Sequence, residues 1–168
     1  MRVPFMILMV ALLGFLAGCT EGTALNETEV KELVVDLSGS DEVSAASIDD
    51  RELKVEDEGK TTVYPLPEDE FFVSIAPYET YTHPCEIHSL TGCQGELAEK
   101  ELKVTVTDEQ GEVYVDQLMT TPANGFIDLW LPREQTYTVE IEADGKSGEL
   151  QFSTFSGDPT CLTSMALS

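Results

Sequence analysis

Residues 102–115, Leu-Lys-Val-Thr-Val-Thr-Asp-Glu-Gln-Gly-Glu-Val-Tyr-Val, decide the fold class. Leu102, Val104 and Val106 alternate with Lys103, Thr105 and Thr107. A period of two puts an apolar row toward a core and a polar row toward water, which is a strand signal. Asp108-Glu109-Gln110-Gly111 turns the chain, and Val113 and Val115 resume the alternation.

The same pattern extends in both directions. Leu53, Val55 and Val63 predict a hairpin about Glu58-Gly59. Phe71, Val73 and Ile75 predict a strand that Pro77 ends. Phe126, Ile127, Leu129 and Leu131 predict another, stopped by Pro132. Tyr137, Val139 and Ile141 lead into Ala143-Asp144-Gly145-Lys146, a tight turn with glycine where φ is positive. Leu150, Phe152 and Phe155 follow, and a last short strand runs through Leu162 and Leu167. Many short strands with Gly and Pro turns make a mainly β fold: an antiparallel β-sandwich-like C-terminal domain, with a small open barrel as the other arrangement.

Toward the N-terminus the period changes to helical. In residues 26–37, Val30, Leu33, Val34 and Leu37 fall on one face, Asn26 is placed to cap, and Gly39 follows. A second short helix is expected over 41–50, around Val43, Ala46 and Ile48. Helices this short are marginal alone, so they must dock on the rest of the chain or on a second copy. The expected organisation is a signal peptide at 1–18, a tether with a small helical region at 19–50, and a β-rich domain at 51–168.

Residues 5–17 are an unbroken apolar run preceded by Arg2, too short for a comfortable membrane span. The run ends in Leu16-Ala17-Gly18-Cys19, which resembles the lipobox of bacterial lipoproteins. That resemblance implies cleavage after Gly18, lipidation of Cys19 and an extracytoplasmic domain anchored to the bacterial cell membrane. The alternative is an ordinary secretory peptide. The formal net charge of −23 repels nucleic acid and anionic lipid, so a nucleic-acid partner is excluded.

With Cys19 assigned to lipid, Cys85, Cys93 and Cys161 remain, an odd number that cannot pair fully within one chain. Idle thiols are oxidised outside the cytoplasm, so an unpaired one needs a reason. Two of the three lie in residues 77–96, a long non-alternating loop that also holds both histidines, His83 and His88. Loops of this length inside a compact domain are usually functional. Thiolates and imidazoles suit Cu(I) and Zn(II), whereas calcium and magnesium take oxygen. Cys85, Cys93, Cys161, His83 and His88 are therefore the candidate metal ligands, and their spacing alone does not separate Cu(I) from zinc. Seven residues separate Cys85 from Cys93, which fits neither a zinc knuckle nor a Cys-x-x-Cys redox motif. A Cys85–Cys93 disulfide stays open, as does bridging of the same thiols that bind metal when reduced. In that case a thiol–disulfide exchange partner would restore the thiols. Gly92 and Gly95 let the chain turn around Cys93, while Glu86 and Glu96 read as solvated.

The run Thr80-Tyr81-Thr82-His83-Pro84-Cys85-Glu86-Ile87-His88-Ser89-Leu90-Thr91-Gly92-Cys93-Gln94-Gly95-Glu96-Leu97 closely resembles the copper-binding periplasmic CueP family. So do Asn124 to Arg133, Ser153-Thr154-Phe155, and Asp158-Pro159-Thr160-Cys161. The likeness covers 70–168 well and the front end loosely. It implies an N-terminal region that forms a homodimer, a β-domain that holds the cysteines, and a role in copper resistance. In some bacteria it also implies copper supply to a superoxide dismutase. Cys93 and Cys161 become the central copper thiols, Cys85 the third, with His83 and His88 alongside. A lipid anchor departs from the soluble members and favours buffering at a membrane surface.

Three functions follow as expectations. The first is a lipid-anchored protein that holds Cu(I) through thiolates for resistance, buffering or delivery. The second is an extracellular β-sandwich module whose cysteines are structural. The third is a thiol-dependent Cu(II) reductase. Enzymatic activity beyond such a reduction is not expected, because no acid–base pair or nucleophile triad supports hydrolysis.

Overall fold

The computed structural model describes residues 25–168, so the expected signal peptide and lipidated Cys19 lie outside the described residues. The elements are α1 (Glu27–Leu37), β1 (Ala45–Ile48), β2 (Glu52–Asp57), β3 (Lys60–Pro65), β4 (Glu70–Tyr78), β5 (His88–Ser89), β6 (Glu101–Asp108), β7 (Val113–Thr120), β8 (Ile127–Pro132), β9 (Thr136–Ala143), β10 (Lys146–Ser153) and β11 (Cys161–Ala166). They form three sheets, β3-β2-β1-β5, β10-β9-β6-β7 and β11-β4-β8. Every pairing is antiparallel except β11 on β4.

β4 organises the layers, because it is buried on both faces. Phe71, Val73 and Ile75 face the sandwich core, against Leu102, Val104, Val106, Tyr137, Val139 and Ile141 of the β10-β9-β6-β7 sheet. Phe72 faces the other way and meets Val30, Val34 and Leu37 of α1, Ile48 and Leu53. Ala76, Phe126 and Cys161 form a third small cluster, against which Cys85 and Cys93 pack. The strand thus separates an ordinary sandwich core from the face that carries the cysteines.

The expected turns form. Glu58 and Gly59 take φ of 48° and 77°, and Asp144 and Gly145 take 49° and 79°, so both hairpins use a residue pair with two positive φ values. Asn26 and Glu29 build a reciprocal cap on α1. Lys31 of α1 pairs with Glu70 and stands 5.3 Å from the centre of the half-buried Trp130 ring, fixing the helix on the β4/β8 face.

Two expectations are corrected. The second helix over 41–50 is instead β1, whose Ala46 and Ile48 point inward while the strand pairs with β2 and β5. Pairing on both edges offers this segment more than a short isolated helix could. Pro77 also does not end β4, which runs to Tyr78. Ser74 N donates to Thr160 O, and Tyr78 O accepts from Leu167 N, so even-numbered residues bond toward β11. Pro77 therefore faces the opposite edge, where pairing with β8 has already stopped at Ile75. Its missing N–H costs no ladder bond there.

Phe72 joins the helix, the small hairpin and β4, and it is fully buried. Phe72→Ala should lower unfolding stability by about 3–5 kcal/mol in urea titration. Val35→Ala, on the exposed face of the same helix, should stay within about 0.5 kcal/mol.

Candidate metal centre

The loop between β4 and β6 is held along its length. β5 pairs with β1 through Ile48 and His88, Leu90 N donates to Ala46 O, and Gly39 N donates to Leu90 O at 2.7 Å. Cys93 N donates back to Ser89 O, making the tight turn that carries the second loop thiol. Gly95 N then donates to Asn124 O. A Cβ on Gly95 would lie 2.6 Å from Gly125 O, so only glycine allows this approach to the start of β8.

Glu96 is not merely solvated. Its carboxylate accepts the backbone N–H groups of Glu79, Thr80 and Tyr81 and the Thr80 hydroxyl, strapping the start of the loop to its end. These bonds, led by the Thr80 hydroxyl, favour the ionised form and lower its pKa to about 2.

Cys161 opens β11, with Ser74 of β4 as its Cα partner. Ser74 is in turn the partner of Asp128 on β8. One row across the sheet therefore carries Asp128, Ser74 and Cys161. The loop is tied to this row by Thr160 N and Cys161 N, which both donate to Glu86 O, and by His88 N, which donates to Thr160 Oγ1 at 3.1 Å.

All five expected donors come together, in two overlapping groups. His83, Cys85 and Cys93 place donor atoms within 4.8 Å of one another, as do His88, Cys93 and Cys161. Cys93 belongs to both. The first group is half-exposed at His83 and Cys85, whereas His88 and Cys161 are buried. The sulfurs of Cys85 and Cys93 are 3.6 Å apart, and all three thiols are free. Phe126 lies under both imidazoles, 4.7 Å from the His88 ring centre and 6.4 Å from that of His83.

The thiols are electrostatically unlike. The Cys161 thiol donates toward Cys93, and His83 adds smaller support, so the Cys93 pKa falls well below the ordinary thiol value despite burial. The same shared proton, with desolvation, pushes Cys161 up. Burial raises Cys85. A thiolate is thus held where the two groups meet, which is the ionisation a soft cation needs.

Several supporting residues escape a sequence reading. Ser74 contacts His88 and is itself bonded to Asp128, Phe126 lies against both histidines, and Glu96 straps the loop. A signal for the first two does exist: Ser74 is the one hydroxyl in the apolar run 71–76, and Asp128 is an acid between Ile127 and Leu129. A polar group inside a buried strand asks for a partner.

The family model described as periplasmic copper-binding protein CueP matches residues 29–166. A solved structure described as the crystal structure of S.CueP is 40% identical, covers 83% of this chain and 88% of its own, and superposes with a TM-score of 0.78. No curated protein matches the chain.

A lowered thiol pKa leaves Cys93 ionised at every pH above it. In a brief iodoacetamide pulse at pH 6, peptide mass spectrometry should find Cys93 alkylated before Cys85, and Cys161 last. For Glu96, a depressed pKa means the strap is complete above the ordinary carboxylate range and is lost as pH falls through about 2. The amide signals of Thr80 and Tyr81 should titrate with a midpoint near that value rather than near 4.5.

Proposed function

The chain belongs to the CueP family of periplasmic copper-binding proteins, and from that premise we propose that it holds Cu(I) outside the cytoplasm through Cys93, Cys161 and His88, with Cys85 and His83 serving its entry. Copper is its ion. The observation that supports this ligand set best is the buried His88 ring: its Nδ1 has no hydrogen-bond partner, yet the imidazole stands among the sulfurs of Cys93 and Cys161. A buried unpaired ring nitrogen costs about 1–3 kcal/mol. A bound cation offsets that cost by taking the lone pair. Two thiolates and one imidazole form a sound three-coordinate set for Cu(I).

The two groups divide the work. His83, Cys85 and Cys93 face the surface and take up the ion, and His88, Cys93 and Cys161 keep it out of water. Because Cys93 is common to both, the ion passes between them by exchanging its other ligands while one Cu–S bond stays intact. Release runs the same way in reverse, toward an acceptor that offers competing thiolates. Zinc, which prefers a closed tetrahedron, fits a three-donor inner group less well.

The remaining expectations belong to the same reading. Lipidation at Cys19 would hold the domain at the outer side of the cell membrane, where its acidity keeps it off the anionic lipid surface. A homodimer would use the N-terminal region. A second reading is favoured by the 3.6 Å approach of Cys85 and Cys93: the Cys85 thiol and the Cys93 thiolate reduce two Cu(II) to two Cu(I), release the one Cys85 proton and close as a disulfide. A thiol–disulfide exchange partner would then restore them.

Anaerobic titration against a chromophoric Cu(I) chelator tests the assignment. The reduced protein should bind about one Cu(I) per chain near stoichiometrically. Cys93→Ser with Cys161→Ser should abolish this, whereas Cys85→Ser should keep the capacity and slow uptake in stopped flow. Undiminished binding in the double variant would reject the ligand set.

A further inference from the structure

His88 is gripped from behind by a chain of hydrogen bonds whose direction can be worked out from one end. Phe126 N can only donate, and it bonds Asn124 Oδ1 at 3.1 Å. That sets the amide of the buried Asn124, so its Nδ2 donates to Ser38 Oγ at 3.2 Å. Ser38 Oγ has one hydrogen, and it goes to Asp128 Oδ2 at 2.7 Å. The other oxygen of Asp128 receives the Ser74 hydroxyl at 2.5 Å. Ser74 has then spent its only hydrogen, so its contact with His88 Nε2, at 3.3 Å, must be made by a proton on the ring.

We infer that Ser74 and Asp128 are positioning residues that hold His88 as the Nε2–H tautomer and so keep its Nδ1 lone pair free for the cation. The inference rests on the copper reading above for what the lone pair serves. Nδ1 is the atom without a hydrogen-bond partner, so no protein donor occupies the lone pair that this polarity leaves there. An imidazole whose N–H is accepted at one nitrogen by a carboxylate-backed hydroxyl is a better oriented and more basic ligand at the other. The row Asp128–Ser74–Cys161 makes the arrangement economical. The β4 position that holds the imidazole has its carboxylate partner on one neighbouring strand and a thiol on the other. Ser38 caps the C-terminus of α1, so the helix takes part in orienting the ligand.

The chain also predicts what reverses it. Asp128→Asn is nearly isosteric, but it brings a donor. Ser38 still needs an acceptor, so the new amide turns its oxygen to Ser38 and its NH2 to Ser74. The Ser74 hydroxyl then donates to Nε2, and the ring proton moves to Nδ1, where it blocks the cation.

Long-range 1H–15N correlation of the reduced, copper-free protein at pH 8.5 reads the tautomer directly, and chelator competition reads Cu(I) affinity. The wild type should carry the proton on Nε2. D128N should carry it on Nδ1 and bind Cu(I) about 10–100-fold more weakly. Ser74→Ala should give a mixture of tautomers with an intermediate loss, and Ser74→Thr, which keeps the hydroxyl, should restore the wild-type pattern. A wild-type proton on Nδ1, or a D128N protein with unchanged tautomer and affinity, would overturn the relay. A reversed tautomer with undiminished affinity would overturn Nδ1 as the ligand atom. Since the tautomer is read without metal, failure of the relay is distinguishable from failure to bind copper.

Discussion

The parallel pairing of β11 with β4 is the constraint on which the centre depends. It is the one parallel contact among the described strands, and it sets Cys161 beside Ser74. Parallel neighbours cannot be joined by a tight turn, so the chain must travel far before it returns. Here it builds β5 to β10 in between, including the whole β10-β9-β6-β7 sheet. The pairing then breaks register between Leu162 and Met165. This lets Cys161 join the loop cysteines while Leu162 and Met165 both enter the sandwich core. Met165, only four residues from Cys161, is thereby packed in a different cluster from the thiols.

Around that row, polar groups are buried in linked sets rather than singly. Ser74, His88, Asn124 and Thr160 are all essentially inaccessible, and each bonds to another member of the site or its frame. In a low-dielectric interior such sets are favourable when every member is satisfied and costly when one is not. One nitrogen is left over, Nδ1 of His88, and its ring belongs to the group that holds the Cys93 and Cys161 sulfurs. The same logic separates the thiols. Water still reaches Cys85, whereas the sulfur of Cys93 is stabilised as an anion by the proton of Cys161. The strongly acidic surface adds a general attraction for cations, but selectivity for a soft one comes from sulfur and imidazole.

Much of this was legible in the chain. Strict alternation at Leu102–Val106 and the turns at Glu58-Gly59 and Asp144-Gly145 are local properties, and the strands and hairpins formed as the pattern demands. The crowding of His83, Cys85, His88 and Cys93 into a loop that does not alternate marked the site. The segment 41–50 was not legible, because Ala46 and Ile48 satisfy a helical spacing and a strand spacing alike. Only the edges offered by β2 and β5 decide between them. Pro77 likewise reads as a stop until the neighbour it faces is known.

Sequence by itself determined the donor chemistry, the odd number of thiols and the β-rich class, since residue type and near-neighbour spacing encode these directly. Tertiary structure alone decided that Cys161 meets Cys93, that Cys93 is shared between two donor groups, and that Asp128 reaches His88 through Ser74. Those are contacts across tens of residues. They are set by strand register and by the partners buried polar atoms find, neither of which any short stretch of chain contains.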